Sequence, residues 1–273
     1  MTITISQTDA AALLAWYAEM GVDAALEESP VDRLASAPAA PAAEPIAPPE
    51  PRRFERDLPP PRTLIAPAEG PAAPDEAERA AKSAAAAATT LDELRAALAA
   101  FEGCALKKTA TQLVFADGNP EGRVMLVGEA PGRDEDIQGL PFVGRSGQLL
   151  DRMLAAIGLD RTQVYIANVV PWRPPGNRTP TPQETAACRP FIARQIELAD
   201  PDFLICLGAP AAAELMNNNQ GILKFRGQWR DFHTGSRNIR AMATLHPAYL
   251  LRQPLQKRLA WRDLLLLKEA LDA

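Results

Sequence analysis

A short apolar segment that ends abruptly in a turn rich in glycine and proline constrains the fold of this chain most strongly. Val124-Met125-Leu126-Val127 is an uninterrupted apolar run, which is typical of a strand buried on both faces of a parallel sheet. Gly128-Glu129-Ala130-Pro131-Gly132 follows directly, and these residue types favour a tight turn whose backbone approaches a ligand closely. Ligands of open α/β sheets bind outside the carboxyl ends of the strands, so we expect Gly128, Glu129, Ala130 and Pro131 to border a binding site.

The loop after this turn combines carboxylates with one aromatic residue. Asp134, Glu135 and Asp136 follow within a few positions, and Phe142 stands just before the next helical segment. Taken alone, such acids are typical of a solvated loop, and a lone aromatic ring belongs more often to a core than to a ligand site. The position of the loop after a buried strand keeps a binding role open for both.

Hydrophobic periodicity predicts that strands and helices alternate along the rest of the chain. It predicts strands at 164–170, 203–207 and 239–245, and helices at 146–157, 182–198, 210–216 and 259–271. Alternating units of this length favour a parallel sheet with helices on both faces. The predicted fold is a three-layer α/β fold with a central, mostly parallel sheet of about four strands flanked by helices.

Polar side chains fall at the ends of three of these strands. Glu129, Asn168 and His246 each stand at the carboxyl end of a different predicted strand. The carboxyl ends of parallel strands meet at one edge of a sheet, so we expect these three side chains to converge there.

The first 89 residues differ in composition from the rest. Residues 30–75 contain 13 of the 26 prolines, which prevent helix and sheet interiors. We predict a short amphipathic helical segment at 1–29 and a Pro/Ala-rich linker at 30–89, largely disordered and helical towards its end. Thr90-Leu91-Asp92-Glu93 has the spacing of a capping box, so we place the folded domain at 90–273.

Charge divides the chain at the same place. Up to Thr89 there are 7 Lys and Arg against 14 Asp and Glu, whereas the remaining residues have 22 against 20. The acidic N-terminal arm suggests a protein partner of its own. The arginine-rich remainder is compatible with binding of nucleic acid.

Cysteine content and hydropathy bear on the compartment. Cys104, Cys188 and Cys206 are an odd number with no close pair, which argues against a disulfide framework. No apolar run approaches the length of a membrane span, and no basic-then-apolar leader opens the chain. We expect a cytoplasmic monomer that does not associate with membranes.

An ordered set of motifs resembles the family 4 uracil-DNA glycosylases, over roughly Phe101 to Ala273. The motifs are GEAPGRDED with GLPFVGRSGQLL, then ANVVPWRPPGNRTPTPQE, then KFRGQW, then HPAYLLR. Each motif alone is weak evidence, but their order and spacing together are specific.

The resemblance implies roles for the residues at the strand ends. It implies that Phe142 stacks on uracil, that Asn168 reads the uracil edge, and that His246 stabilises charge developing at O2 of the leaving base. It also implies that Glu129 acts on water or on the sugar cation, and that Glu135 is a second catalytic acid. Asn168 as a turn former and His246 as a structural residue are the competing interpretations.

The resemblance further implies a set of DNA contacts. Leu250, Leu251 and Arg252 match a loop that penetrates DNA and fills the gap left by the flipped nucleotide. The expected phosphate contacts are Arg178, Lys224, Arg226 and Arg252. The expected partner is uracil-containing DNA, single- or double-stranded.

The chain departs from the family at its cofactor. The family ligates a four-iron, four-sulfur cluster through four cysteines, of which Cys104 and Cys188 match two. Phe101 and Trp172 stand at the other two positions, and neither ring ligates iron as a thiolate does. Cys206 lies inside a predicted strand and is expected to pack as a small apolar residue. We therefore predict that the protein has no cofactor.

The leading functional prediction is a uracil-DNA glycosylase that flips uracil out of DNA and hydrolyses the N-glycosidic bond, initiating base-excision repair. One alternative is a catalytically silent nucleic-acid-binding member of the superfamily, which would need a degraded pocket. The other is a nucleotide-binding adaptor whose proline-rich arm recruits a partner.

Overall fold

The computed structural model describes residues 74–217 and 220–273. The predicted amphipathic segment at 1–29 and the linker as far as residue 73 lie outside these described residues. No helix in the described ranges is long and apolar enough to cross a membrane.

Six strands of the described residues form one sheet. They are β1 (Asp117–Gly118), β2 (Val124–Gly128), β3 (Val164–Asn168), β4 (Phe203–Leu207), β5 (Arg230–His233) and β6 (Asn238–Thr244). Their order across the sheet is β1-β3-β2-β4-β6-β5, with the four inner strands parallel and both edge strands antiparallel. The predicted core of about four parallel strands is confirmed. The edge strands escaped prediction because β1 has two residues and β5 is mostly exposed, so neither has an apolar run.

Helices cover the sheet and its loops. In the described residues they are α1 (Pro74–Ala87), α2 (Leu91–Ala100), α3 (Arg133–Gln138), α4 (Arg145–Ala155), α5 (Pro182–Ala199), α6 (Ala209–Met216), α7 (Ile222–Phe225), α8 (Pro247–Arg252) and α9 (Lys257–Asp272). The predicted cap of α2 is present, because the Thr90 hydroxyl accepts the Glu93 N–H at 3.1 Å. The short helices α3, α7 and α8 were not predicted, since four to six residues are too few to display helical periodicity.

Side chains of the inner strands alternate between two buried clusters, one on each face of the sheet. Met125 and Val127 pack in the cluster that includes α1, α2, α5 and α6. Val124 and Leu126 pack in the other, with α4, α8 and α9. Burial on both faces explains why these strands are continuous apolar runs, and the three-layer prediction is confirmed.

Helix α1 extends the folded part beyond the predicted start at Thr90. Ala81 and Ala85 are 0% and 2% exposed, and both belong to the core cluster that α5 shares. The Arg194 guanidinium of α5 donates to the Ala88 carbonyl from Nε at 3.0 Å and from Nη2 at 2.8 Å. Residues 74–89, which the sequence assigned to the helical end of the linker, are therefore packed against the domain.

Candidate active site

A cavity of about 570 Å³ opens at the carboxyl edge of the sheet. The four parallel strands each bring one lining residue to it: Glu129 follows β2, Asn168 ends β3, Gly208 follows β4 and His246 lies shortly after β6. The predicted convergence of Glu129, Asn168 and His246 is confirmed. The predicted Ala130, Pro131 and Phe142 line the same cavity.

Gly128 makes room for two of the lining side chains. It pairs in register with Asn168, and a Cβ atom on it would lie 2.5 Å from Asn168 Oδ1 and 2.6 Å from Phe142 Cζ. Both distances are shorter than non-bonded atoms tolerate, so any larger residue would displace the amide or the ring. The contribution of Gly128 to the site is therefore the absence of a side chain, which leaves room for Asn168 and Phe142.

Asn168 presents an unsatisfied acceptor. Asn168 is only 5% exposed, and its Oδ1 has no hydrogen-bond partner among the residues that the structure describes. A buried polar atom without a partner costs about 1–3 kcal/mol, which a ligand donor can relieve. The side chain is therefore suited to reading the hydrogen-bonding edge of a base.

Glu129 has a second such atom. Within the described ranges its Oε1 is buried without a partner. Burial raises the pKa of this carboxyl, and a hydrogen bond from the Thr179 hydroxyl opposes the rise. Thr179 also lines the cavity but was not singled out from the sequence, although it stands in the proline-rich motif after β3.

His246 is held as a neutral donor. The backbone N–H of Ala248 donates to its Nδ1 at 3.1 Å, which places the ring proton on Nε2. Burial, together with the positive charge of Arg252, lowers the pKa of His246 to about 4. The neutral imidazole can thus donate from Nε2 near neutral pH without carrying a charge.

Phe142 belongs to the core and to the cavity at once. It is 4% exposed within the cluster on the α4 and α9 face, and its ring lines the cavity. Its backbone φ of 54° is left-handed, which is uncommon for a residue other than glycine. Phe142 can therefore be both a core residue and part of a binding site.

Glu135 also lines the cavity, and its catalytic role stays a prediction, but its carboxylate makes backbone contacts that were not expected. Its Oε1 accepts the N–H groups of Val143 at 3.1 Å and Gly144 at 3.0 Å, and its Oε2 accepts that of Gly132 at 3.1 Å. Oε1 thus holds the loop that carries Phe142, whereas Oε2 caps the start of α3. Sequence alone could not detect this, since the partners are backbone groups.

Arg226 is also corrected as an expected phosphate contact. Its guanidinium forms two hydrogen bonds with Asp263 and donates to the Leu259 carbonyl at 2.6 Å, and its side chain is 12% exposed. The pair ties the loop after α7 to α9. The KFRGQW motif therefore contributes to packing at this position.

The other predicted cations differ in availability. Arg178 forms a bidentate pair with Glu184, from Nη1 at 2.8 Å and from Nη2 at 2.7 Å, while lining the cavity. Lys224 and Arg252 are exposed, and Arg252 also lines the cavity. Among the four predicted phosphate contacts, Lys224 and Arg252 thus fit the expectation best.

The predicted apolar wedge is corrected as well. Leu250 is 0% exposed and belongs to the core, and Leu251 is half-buried. Leu255, in the turn after α8, is 85% exposed and was not predicted. Its isolated position in the run Gln253-Pro254-Leu255-Gln256-Lys257, just after the HPAYLLR motif, was the sequence signal for an exposed leucine that could serve as the wedge.

The expected remnants of a cluster site lie together in the core. Cys104 Sγ and Cys188 Sγ are 3.8 Å apart, and both residues are buried. Phe101 and Trp172, 8% and 2% exposed, belong to the same buried cluster. Cys206 packs inside β4, where burial raises its pKa to about 12.

Comparison with known proteins agrees with this geometry. Residues 115–265 match the family model described as the Uracil DNA glycosylase superfamily. The chain is 40% identical over 169 residues to a type-4 uracil-DNA glycosylase of Archaeoglobus fulgidus, covering 60% of this chain and 85% of that protein. It is 46% identical over 150 residues to the type-4 uracil-DNA glycosylase of Thermotoga maritima, with coverage of 55% and 77%. The type-4 protein of Sulfurisphaera tokodaii is 35% identical over 185 residues, with coverage of 66% and 84%.

The prediction that the protein has no cofactor is wrong by this comparison. The relatives are type-4 enzymes, and enzymes of that type carry an iron–sulfur cluster. The thiols at the matching positions, Cys104 and Cys188, are two where a cluster of this kind takes four. This donor set does not fit the four-thiolate pattern, and neither cysteine is among the residues that line the cavity.

Proposed function

The chain belongs to the uracil-DNA glycosylase superfamily and is a DNA N-glycosylase of base-excision repair, and we propose that four residues of the cavity carry its reaction. The observation that supports this most directly is a pair of buried oxygens in one cavity, Glu129 Oε1 and Asn168 Oδ1, neither of which has a hydrogen-bond partner in the described part of the chain. Both are acceptors that a bound nucleotide or water would satisfy.

Asn168 and Phe142 bind the flipped base. The Asn168 amide offers an acceptor for uracil N3–H and a donor for O4, side by side. The Phe142 ring provides an apolar face on which the base stacks. Cytosine has an amino group in place of O4. This donor would face the donor NH₂ group of Asn168, so cytosine would bind poorly.

His246 assists departure of the base. The bond that breaks joins C1′ of deoxyribose to N1 of uracil, and its electron pair leaves with uracil. The Nε2–H of neutral His246 donates to O2, where negative charge develops in the transition state.

Glu129 acts on the sugar side. Both oxygens of Glu135 accept backbone N–H groups, whereas Glu129 Oε1 is buried without a hydrogen-bond partner among the described residues. It stabilises the cationic sugar and accepts a proton from the water that forms the new bond to C1′.

Excision measured on single- and double-stranded oligonucleotides with one uracil tests the function, with thymine in the same position as the control. We expect release of uracil and an abasic site that alkali cleaves. Tight binding of DNA without excision would support the catalytically silent member instead. A protein that neither binds DNA nor excises uracil would support the adaptor.

We also propose a cytoplasmic monomer whose acidic arm binds a protein partner. The three free thiols favour a reducing compartment, and the excess of Asp and Glu up to Thr89 would repel DNA rather than bind it. Light scattering of the full chain, with and without uracil DNA, measures the oligomeric state.

A further inference from the structure

The backbone at Phe142 has to be held in place by its neighbours. A φ of 54° is sparsely populated by residues with a Cβ atom, and such a conformation persists only where the surroundings over-determine it. The ring direction follows from this backbone. Whatever fixes the peptide bonds around Phe142 therefore fixes the face offered to the base.

Arg161 holds the carbonyl side of this segment. Its Nη1 donates to the Pro141 carbonyl at 3.2 Å, and its Nη2 donates to the Phe142 carbonyl. The same guanidinium is anchored by Asp117, 2.6 Å from Nη1, and by Asp151, 2.7 Å from Nε. A planar fork with several donors is needed to bridge two carboxylates and two carbonyls, and arginine supplies it.

Glu135 holds the opposite side of the same peptide bond. It accepts the Val143 N–H, while Arg161 takes the Phe142 carbonyl, so one peptide unit is fixed at both ends. Gly147 completes the arrangement, because a Cβ atom there would lie 1.6 Å from the Phe142 carbonyl oxygen. Only glycine allows α4 to approach this carbonyl.

We propose that Arg161 is a positioning residue for uracil recognition, which orients the Phe142 ring through its backbone without touching the base. This rests on the proposed role of Phe142 in stacking. Asp117 and Asp151 take part by holding the guanidinium, so β1 and α4 are coupled to the geometry of the cavity.

The test compares Arg161→Ala and Arg161→Lys with Arg123→Ala. Arg123 also pairs with an aspartate, Asp202 at 2.7 Å, but it does not line the cavity and serves as the matched control. We expect Arg161→Ala to slow single-turnover excision roughly 10- to 100-fold and to weaken inhibition by free uracil, since misplacement by about 1 Å costs on this order. Arg161→Lys keeps the charge but loses the fork, and it should recover only part of the loss.

A double-mutant cycle separates positioning from general stability. In the Phe142→Ala background, Arg161→Lys should have little further effect on excision, because the ring it positions is gone. An undiminished effect in that background would overturn the proposal.

Fluorine NMR of protein labelled with fluorophenylalanine tests the same inference without activity. The Phe142 resonance, assigned by its loss in Phe142→Leu, should shift or broaden in Arg161→Lys and stay unchanged in Arg123→Ala. An unchanged resonance in Arg161→Lys would refute the positioning role even if uracil excision is normal. A shifted resonance in a protein without excision would uphold the positioning and refute only the proposed function.

Discussion

The rings of Phe142 and His246 lie beside each other in the cavity, with centroids 5.5 Å apart and planes inclined by 31°. One comes from the loop before α4 and the other from the start of α8. Phe142, which is proposed to stack on the base, therefore lies next to His246, which is proposed to donate to O2 of the base. A base that stacks on the Phe142 ring would thus lie close to the His246 imidazole.

His246→Ala should lower the rate of bond cleavage with little change in which base is chosen. The variant removes a donor that acts mainly in the transition state, and such a loss is on the order of 2 to 4 kcal/mol. Single-turnover rates and uracil-DNA binding, measured together, check this. Cleavage near the wild-type rate in a folded variant would remove His246 from the mechanism.

Asn168→Asp should reduce uracil excision steeply and allow a low level of cytosine excision. The substitution replaces the amide donor with an acceptor, which repels O4 of uracil and pairs with the amino group of cytosine. Excision from matched uracil and cytosine oligonucleotides measures the change. A variant that still prefers uracil as strongly as wild type would show that Asn168 does not read this edge.

Excision should fall as the pH is lowered through the pKa of Glu129, which lies above the usual value of a glutamate. Burial raises the pKa of Glu129, and its protonated form cannot accept a proton from water. His246, with a pKa of about 4, stays neutral above that pH and adds no limb between pH 5 and 8. Rate profiles of wild type, Glu129→Gln and His246→Ala test this, since only Glu129→Gln should lose the acid limb. An acid limb that survives in Glu129→Gln would assign it to another group.

Leu255→Ala should affect excision but not thermal stability, whereas Leu250→Ala should lower thermal stability. Leu255 is 85% exposed, so its loss should leave thermal stability unchanged and weaken excision from duplex DNA more than from single strands. Leu250 is fully buried, and its truncation should cost about 2–5 kcal/mol of unfolding free energy. Thermal unfolding and excision on both substrates separate the two. Equal excision by Leu255→Ala and wild type on duplex DNA would exclude Leu255 as a wedge.

A chain that begins at Pro74 should keep its stability and its uracil excision, whereas a chain that begins at Thr90 should be less stable. The longer deletion removes α1, which uncovers the core face that Ala81 and Ala85 cover and breaks the bonds from Arg194 to the Ala88 carbonyl. Melting temperatures of both truncated chains and the full chain provide the measurement. Identical melting temperatures for the two truncated chains would show that α1 adds nothing to the domain.

The sequence by itself determined the parallel core and the edge at which the site forms. Strands buried on both faces are continuous apolar runs, so β2, β3, β4 and β6 could be found within one or two residues of their ends. The polar residue at each carboxyl end, Glu129, Asn168 or His246, could be assigned to the site because parallel strands share one edge.

Only the tertiary structure decided which groups the motif residues contact. Glu135, Arg226 and Leu250 all stand in motifs, yet the first binds backbone N–H groups, the second binds Asp263 and the third is buried. Arg161 stands in none of these motifs, yet it contacts the Phe142 carbonyl. The role of a charged or apolar side chain depends on the groups it meets in space, and those partners come from distant positions that local periodicity does not reveal.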